Sequence, residues 1–515
     1  MPQEPVTGNK TIAKNATMLY IRMFFTMAIS FYTSRIVLEA LGVSDYGIYN
    51  VVGGITVLIN VFIGALGSST SRFLTFALGK NDIDNLKLTF STAAWIHIGL
   101  ALFFVVAAET IGLWFVNTQL VIPEGRMIAA NWVYQASIIT VAMGITQTPY
   151  NASITSHEHM SAFAYISVVD ALVKLGIAAV VLVYSGDHLI LYSILLVLSS
   201  ISFQLYYRYY CVRHFEECHI TSHFERILFK EMLAFSGWSM FRNTAFTVAS
   251  QGVNILINRF FGTVLNAAAG VALQVQGLLY AFTGNISTAF KPQITKSYAA
   301  ADYHRTNDLI NMSAKFTAIV TTLTTVPFIF NLDFLMSLWL KDVPPGAVVI
   351  CQICLFSNFF NSFNWFFSTA IEASGKIKSF SFSMSIIHVT SLAGTYLILK
   401  LTHNYVYSYI WGVASCPMST MFAMILLRKV LPFFSIRSFV GKIYIPLLFV
   451  FCMSLAIAAL ISHMITSPSF AFPIITIVCT TFVIFVGYKY VLDESAKILV
   501  KDYVKSMRQR IRIFE

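Results

Sequence analysis

Six cations lie within or beside long apolar runs of this 515-residue chain: Arg22, Arg35, Arg72, Arg242, Arg259 and Lys291. A charge at the centre of a membrane helix costs roughly 2.5–3.5 kcal/mol on insertion scales, so those that persist face an interior cavity or snorkel to a surface. Guanidinium groups grip phosphate through paired hydrogen bonds and do not deprotonate. A cavity lined this way suits a diphosphate or an acidic sugar and disfavours cationic ligands. The lining is densest toward the side on which the chain begins, and Arg22 lies one or two turns from that end.

The elements that must position these groups repeat. A gapless shift of 220 residues pairs Arg22 with Arg242, Ser30 with Ser250, Gly42 with Gly262, Phe62 with Phe282, Gly64 with Gly284, Thr75 with Thr295 and Asp82 with Asp302. With Val51/Val271 and Leu58/Leu278 this makes nine identities over 61 positions. Internal repeats mark transporter folds, with sites at the repeat interface. The first and seventh spans are therefore expected to face each other across a cavity.

Composition places the chain in a membrane. It is 57% hydrophobic and 11% charged, with a mean hydropathy of +0.72, whereas soluble domains run near 25% charged. Apolar stretches long enough to span begin near Thr11, Asp45, Leu86, Arg126, Met160, His188, Leu228, Thr263, Asn307, Pro345, Ile377, Asn404, Phe439 and Ser467. The expected fold is all-α and integral to the membrane, with about 14 helices. Residues 1–213 form an N-lobe of six spans, 214–227 a cytoplasmic linker and 228–436 a C-lobe of six. The two lobes are related by a pseudo-two-fold axis. Residues 437–492 add two spans, and 493–515 form a basic amphipathic tail on the inner surface. No signal peptide is visible.

The net charge of +11 reflects topology rather than nucleic-acid binding. Lys10, Lys14, Lys80, Lys87, Arg208, Arg213, Arg226, Lys230, Lys376, Lys378, Arg428 and Lys429 fall on one side. Little beyond Arg126, Arg259, Lys341 and Lys400 falls on the other. The positive-inside rule then puts both termini in the cytoplasm.

Polar residues recur along the spans. Thr26 and Ser30 continue a stripe from Arg22; Asn50 and Asn60 lie in span two; Ser250 and Asn254 follow Arg242; Gln274 and Asn285 lie in span eight. Lipid cannot satisfy such groups, so they line a cavity or join helices to one another. Asp170 and Lys174, one turn apart, are either a structural ion pair or a site coupling transport to H+ or Na+. Glu109, Asp333 and Glu372 fall near span ends and read as interfacial. The Cys351-x-x-Cys354 pair lies on one apolar face and reads as packing. Cys211, His214, Cys218, His219 and His223 fit no standard zinc spacing, and His157-Glu158-His159 reads as a solvated turn. Pro149, Pro327, Pro446 and Gly53-Gly54 are the expected kinks. No nucleophile–base pair, phosphate loop or dinucleotide fingerprint occurs, so neither an enzyme nor a metal or organic cofactor is expected.

The opening Asn-Lys-Thr-Ile-Ala-Lys-Asn (9–15), with Leu41-Gly42 before Asp45-Tyr46-Gly47-Ile48-Tyr49, resembles the polysaccharide flippases of the O-antigen (Wzx) type. These belong to the multidrug/oligosaccharidyl-lipid/polysaccharide (MOP) exporter superfamily, with the lipid II flippases and the MATE drug exporters. The resemblance implies transfer of an undecaprenyl-diphosphate-linked oligosaccharide from the cytoplasmic to the periplasmic leaflet of a bacterial inner membrane. Alternating access is implied, driven by H+, Na+ or the membrane potential. Cavity-facing arginines in the first and seventh helices of lipid-linked sugar flippases are matched here by Arg22 and Arg242. Implied partners are the lipid-linked glycan (O-antigen, capsule or exopolysaccharide unit), membrane lipids and glycan-polymerase or assembly proteins, around a monomeric transporter. A MATE-like cation-coupled multidrug antiporter is the alternative. A glycan polymerase or ligase is disfavoured, since every connection on the outer side is short.

Overall fold

The computed structural model describes residues 8–57, 60–120, 122–123, 125–221, 225–340, 342–465, 467–492 and 497, with side chains at all of these except 43, 53–57 and 60–62. The expected amphipathic tail lies outside the described residues. Among the described residues the chain is helical and has no strand. That is the outcome expected where no water is available to satisfy an open backbone.

The helices are α1 Gly8–Val57, α2 Asn60–Gly79, α3 Ile83–Thr118, α4 Met127–Ser156, α5 Met160–Val183, α6 His188–His214, α7 Arg226–Ala299, α8 Tyr303–Ile329, α9 Leu332–Trp339, α10 Ala347–Asn361, α11 Asn364–Ala373, α12 Ile377–Thr402, α13 Tyr405–Val430, α14 Ile436–Met464 and α15 Pro468–Val491. Twelve helical stretches among the described residues are long and apolar enough to cross a membrane. One of them, α7, has 74 residues, too many for a single crossing at about 1.5 Å per residue. It breaks at Gly262 (φ 80°, ψ −171°) and supplies two.

The chain forms two compact units, residues 17–240 and residues 1–16 with 241–515. Their backbones repeat a set of special positions. Gly42 (φ 71°) and Gly262 (φ 80°) take a conformation that is all but restricted to glycine. The shift is the 220 residues that align Arg22 with Arg242. Asn81 and Ala301, also 220 apart, both turn left-handed, at φ 54° and 57°. The aspartate after each caps the next helix: Asp82 accepts from the Asn85 N–H at 3.0 Å, and Asp302 from that of Arg305 at 2.9 Å. Helix breaks thus sit at the two glycines, and not at Gly53-Gly54, which continue α1.

Each unit has its own core. In residues 17–240, Val37, Leu41, Val52, Val133, Tyr134, Ile145 and Val181 pack together. There α3 makes a π-turn at Ala108–Gly112, and the Tyr134 hydroxyl donates to the Ala108 carbonyl at 2.8 Å. In the other unit Ala268, Ala269 and Ala272 let helices approach closely against Ile350, Leu355 and Leu399. Cys351 and Cys354 belong to this core, so the C-x-x-C is packing.

Candidate functional site

The two arginines found by the repeat occupy equivalent settings. Arg22 of α1 lies over the ring of Phe163, with its guanidinium carbon 4.6 Å from the centroid; Arg242 of α7 lies 5.1 Å over Phe380. Phe163 and Phe380 are each three residues into their helices, α5 and α12. Each ring face holds a cation in place without neutralising it.

Beyond the rings the settings diverge. Arg242 donates from Nη2 to Glu372 Oε1 at 2.9 Å, and Lys291 Nζ lies 3.6 Å from Glu372 Oε2. The carboxylate is only 7% exposed. This overturns the interfacial reading of Glu372: α11 carries it inward to meet α7. At the corresponding places in the other unit stand Thr155, one residue before the end of α4 as Glu372 is of α11, whose neutral hydroxyl donates to the Asn151 and Ala152 carbonyls, and Ser71. Among the described residues Arg22 has no carboxylate in ion-pairing range, and its Nε is buried without a hydrogen-bond partner. Arg242 Nη1 is likewise buried and unbonded.

The other expected site residues are dispersed. Arg72 is buried within a cage of Phe73, Phe76 and Phe235, at 4.5, 4.8 and 5.6 Å. Arg35 and Arg259 carry exposed side chains. Thr26 donates to the Arg22 carbonyl at 2.8 Å, Asn50 to that of Tyr46 at 2.9 Å, and Asn254 to Gln251 at 3.2 Å. Ser30 and Gln274 are exposed, Asn285 is buried, and the Asn60 side chain lies outside the described residues. Ser250 lines a cavity of about 210 Å³ with Ser357, Asn361, His388 and Ser391, inside the second unit. Lys174 donates to Asp170 at 2.8 Å on a partly exposed face. The pair is therefore satisfied within one helix.

Two polar clusters went unrecognised in the sequence. Arg126 bonds Asp45 through both Nε (2.9 Å) and Nη2, and Asp187 through Nη1 (2.6 Å) and Nη2 (3.2 Å). This clasp joins α1 beyond its break to the starts of α4 and α6. Hydrogen bonding to Arg126 holds the Asp187 carboxyl below the usual carboxylate range, and the same bonds push Arg126 higher still. Asp45 opens the Asp-Tyr-Gly-Ile-Tyr segment, so that segment has a structural reason to begin with an acid. The second cluster is His157, which is not simply solvated: it bonds Glu217 at 2.7 Å and stacks on Phe215 at 4.2 Å. Cys211 donates to the Tyr150 carbonyl at 3.5 Å. The Cys218 thiol beside it is pushed up by that neighbour and by burial.

The family model described as MatE matches residues 239–397, within the second repeat. No curated protein sequence matches the chain. Among solved structures, the outward-facing conformation of a multidrug resistance MATE family transporter of the MOP superfamily superposes with a TM-score of 0.70 at 11% identity, covering 83% of this chain and 99% of that one. A MATE transporter in the straight conformation gives 0.69 at 12%, with the same coverage. A Pyrococcus furiosus MOP superfamily transporter, described as having a binding pocket of reverse polarity that suggests a different function, gives 0.68 at 11%, covering 84% and 99%. The fold is that of the MATE transporters.

Proposed function

We propose that this multi-pass membrane transporter moves an anionic lipid-linked substrate, an undecaprenyl-diphosphate-linked oligosaccharide, between leaflets by alternating access. The observation that carries the reading is Arg22. A permanent cation is held inside a membrane-spanning helix against an aromatic face, with a buried donor left unfilled and, among the described residues, no acid in range. Such a group is costly unless an anion visits it. A diphosphate brings charge and several acceptors, and it would complete the bond that Arg22 Nε lacks. The Pyrococcus furiosus relative supplies a precedent in words for altered pocket polarity on this fold. The proposed setting is a bacterial inner membrane with both termini cytoplasmic, as the lysine and arginine distribution favours.

The MATE-like cation antiporter draws on the family match over residues 239–397. A cation exporter needs an acid free to exchange its cation. Here Glu372 is held by two cations and Asp170 by Lys174, which favours the anionic cargo. The test is charge reversal. Cells carrying Arg22→Glu with Arg242→Glu should lose surface glycan at normal protein level. Unchanged glycan would sink the anion site, and altered drug tolerance with intact glycan would favour the antiporter.

A further inference from the structure

A groove of about 720 Å³ runs between α5 and α6, lined by Tyr165, Val169, Val173, Leu198, Ser202 and Tyr206 among others. Its wall is almost wholly hydrocarbon and aromatic. Tyr165, Val169, Leu198 and Tyr206 are each at least half exposed, and both helices are membrane-spanning. From Tyr165 to Ile177 the groove follows α5 for about 18 Å at 1.5 Å per residue. It is a lateral slot, so whatever fills it enters from the bilayer.

One end of the slot is chemically distinct. Ile166 and Phe203 of its wall pack in one cluster with Phe163 and Tyr207. Phe163 is the ring that carries Arg22. The helices run antiparallel, so Tyr165 and Tyr206 lie at this cationic end, while Ile177 and Leu195 lie at the far one. A slot with a single guanidinium at its head and no further charge along its lining fits a single long apolar chain ending in phosphate.

We infer that the α5–α6 groove holds the isoprenoid chain of a polyprenyl phosphate whose head group reaches Arg22. The inference rests on the reading above and adds the place of the tail. Charge complementarity at the head selects phosphate. A single slot running from one cation suits one chain on one phosphate, and competition with a two-chain phospholipid tests that choice. During transfer the tail stays in lipid contact while the head group visits the cation.

The experiment is photolabelling of the full chain in nanodiscs with a polyprenyl phosphate carrying a diazirine at its far end, followed by peptide mapping. Label is expected on residues 165–177 and 195–206. Excess unlabelled polyprenyl phosphate should compete it away, and excess phosphatidylglycerol should not. Val169→Trp fills the slot and should cut labelling several-fold, whereas Leu182→Trp, on the same helix outside it, should not. Equal competition by phosphatidylglycerol, or undiminished labelling in Val169→Trp, overturns the groove assignment. Label elsewhere that is still lost in Arg22→Glu overturns the groove and leaves the anion site standing. Label indifferent to Arg22→Glu and to competition overturns both.

Discussion

Glu372 sits 2.9 Å from Arg242, whereas Thr155, its counterpart in the first repeat, is a neutral hydroxyl turned to the Asn151 and Ala152 carbonyls. The two arginines share an aromatic seat but differ in charge balance. In the second unit an internal carboxylate occupies part of the guanidinium; in the first, none does. Glu372 therefore resembles a resident stand-in for an anion, and Arg22 an open position.

Removing the stand-in should expose this difference. Glu372→Gln leaves the Arg242 cation buried without its acid, and breaking a buried pair costs about 3–5 kcal/mol. The melting temperature in detergent should fall. Added pyrophosphate should restore more of it in Glu372→Gln than in the parent, because the anion takes the vacated place. Equal ligand shifts in both proteins would remove Glu372 from the site.

Gly42 and Gly262 make a second test of the repeat. No atom lies within 4 Å of a Cβ built at either position, so Gly→Ala meets no steric obstacle. The cost is conformational, about 1–3 kcal/mol for this region of backbone space. Gly277→Ala, also in open space but at helical dihedrals, should be neutral or stabilising. Similar melting temperatures for Gly262→Ala and Gly277→Ala would contradict the backbone account.

Much of this was legible in the sequence. Hydropathy marks spans because a helix is the simplest solution in lipid, and the shared shift found Arg22, Arg242, Gly42 and Gly262 together. What it missed depends on pairings with no fixed spacing. Glu372 lies 130 residues from Arg242, and Asp45 and Asp187 lie 81 and 61 from Arg126. A carboxylate near a span end reads as interfacial until α11 is seen to carry it against α7. The repeat itself hid the clasp, since Leu265, Gly346 and Asn404 occupy the corresponding places in the second unit. There Leu265 joins an apolar core, Gly346 has no side chain, and Asn404 keeps only the helix cap, accepting from the Val406 N–H at 2.9 Å.

Gly112 closes the π-turn of α3 for a steric reason. A Cβ there would overlap the Tyr134 hydroxyl. Gly112→Ala must expel that hydroxyl and break its 2.8 Å bond to the Ala108 carbonyl, a loss of about 1–3 kcal/mol for an unsatisfied buried group. Tyr134→Phe removes the atom that clashes. The double variant should therefore be more stable than the sum of the single effects. Strict additivity in a thermal-melt cycle would rule out this contact as the cause.

The Arg126 clasp carries a pH signature. Arg126 holds the Asp187 carboxyl below its ordinary range, so the folded state binds that proton less readily than the unfolded chain. The resulting stability is fully present above the ordinary aspartate value of about 3.9 and is lost as pH falls through the lowered one. Arg126 stays protonated throughout and adds no acid limb of its own. Solvent reaches the pair, with 31% of the Asp187 side chain exposed, so screening keeps its worth to about 1 kcal/mol or less. Asp187→Asn retains an acceptor for the Leu189 and Ile190 N–H groups but loses the charge. It should lower the melting temperature at pH 7 and flatten the decline below about pH 4. Melting curves across that range check this, and an acid limb unchanged in Asp187→Asn would assign the decline to other carboxylates.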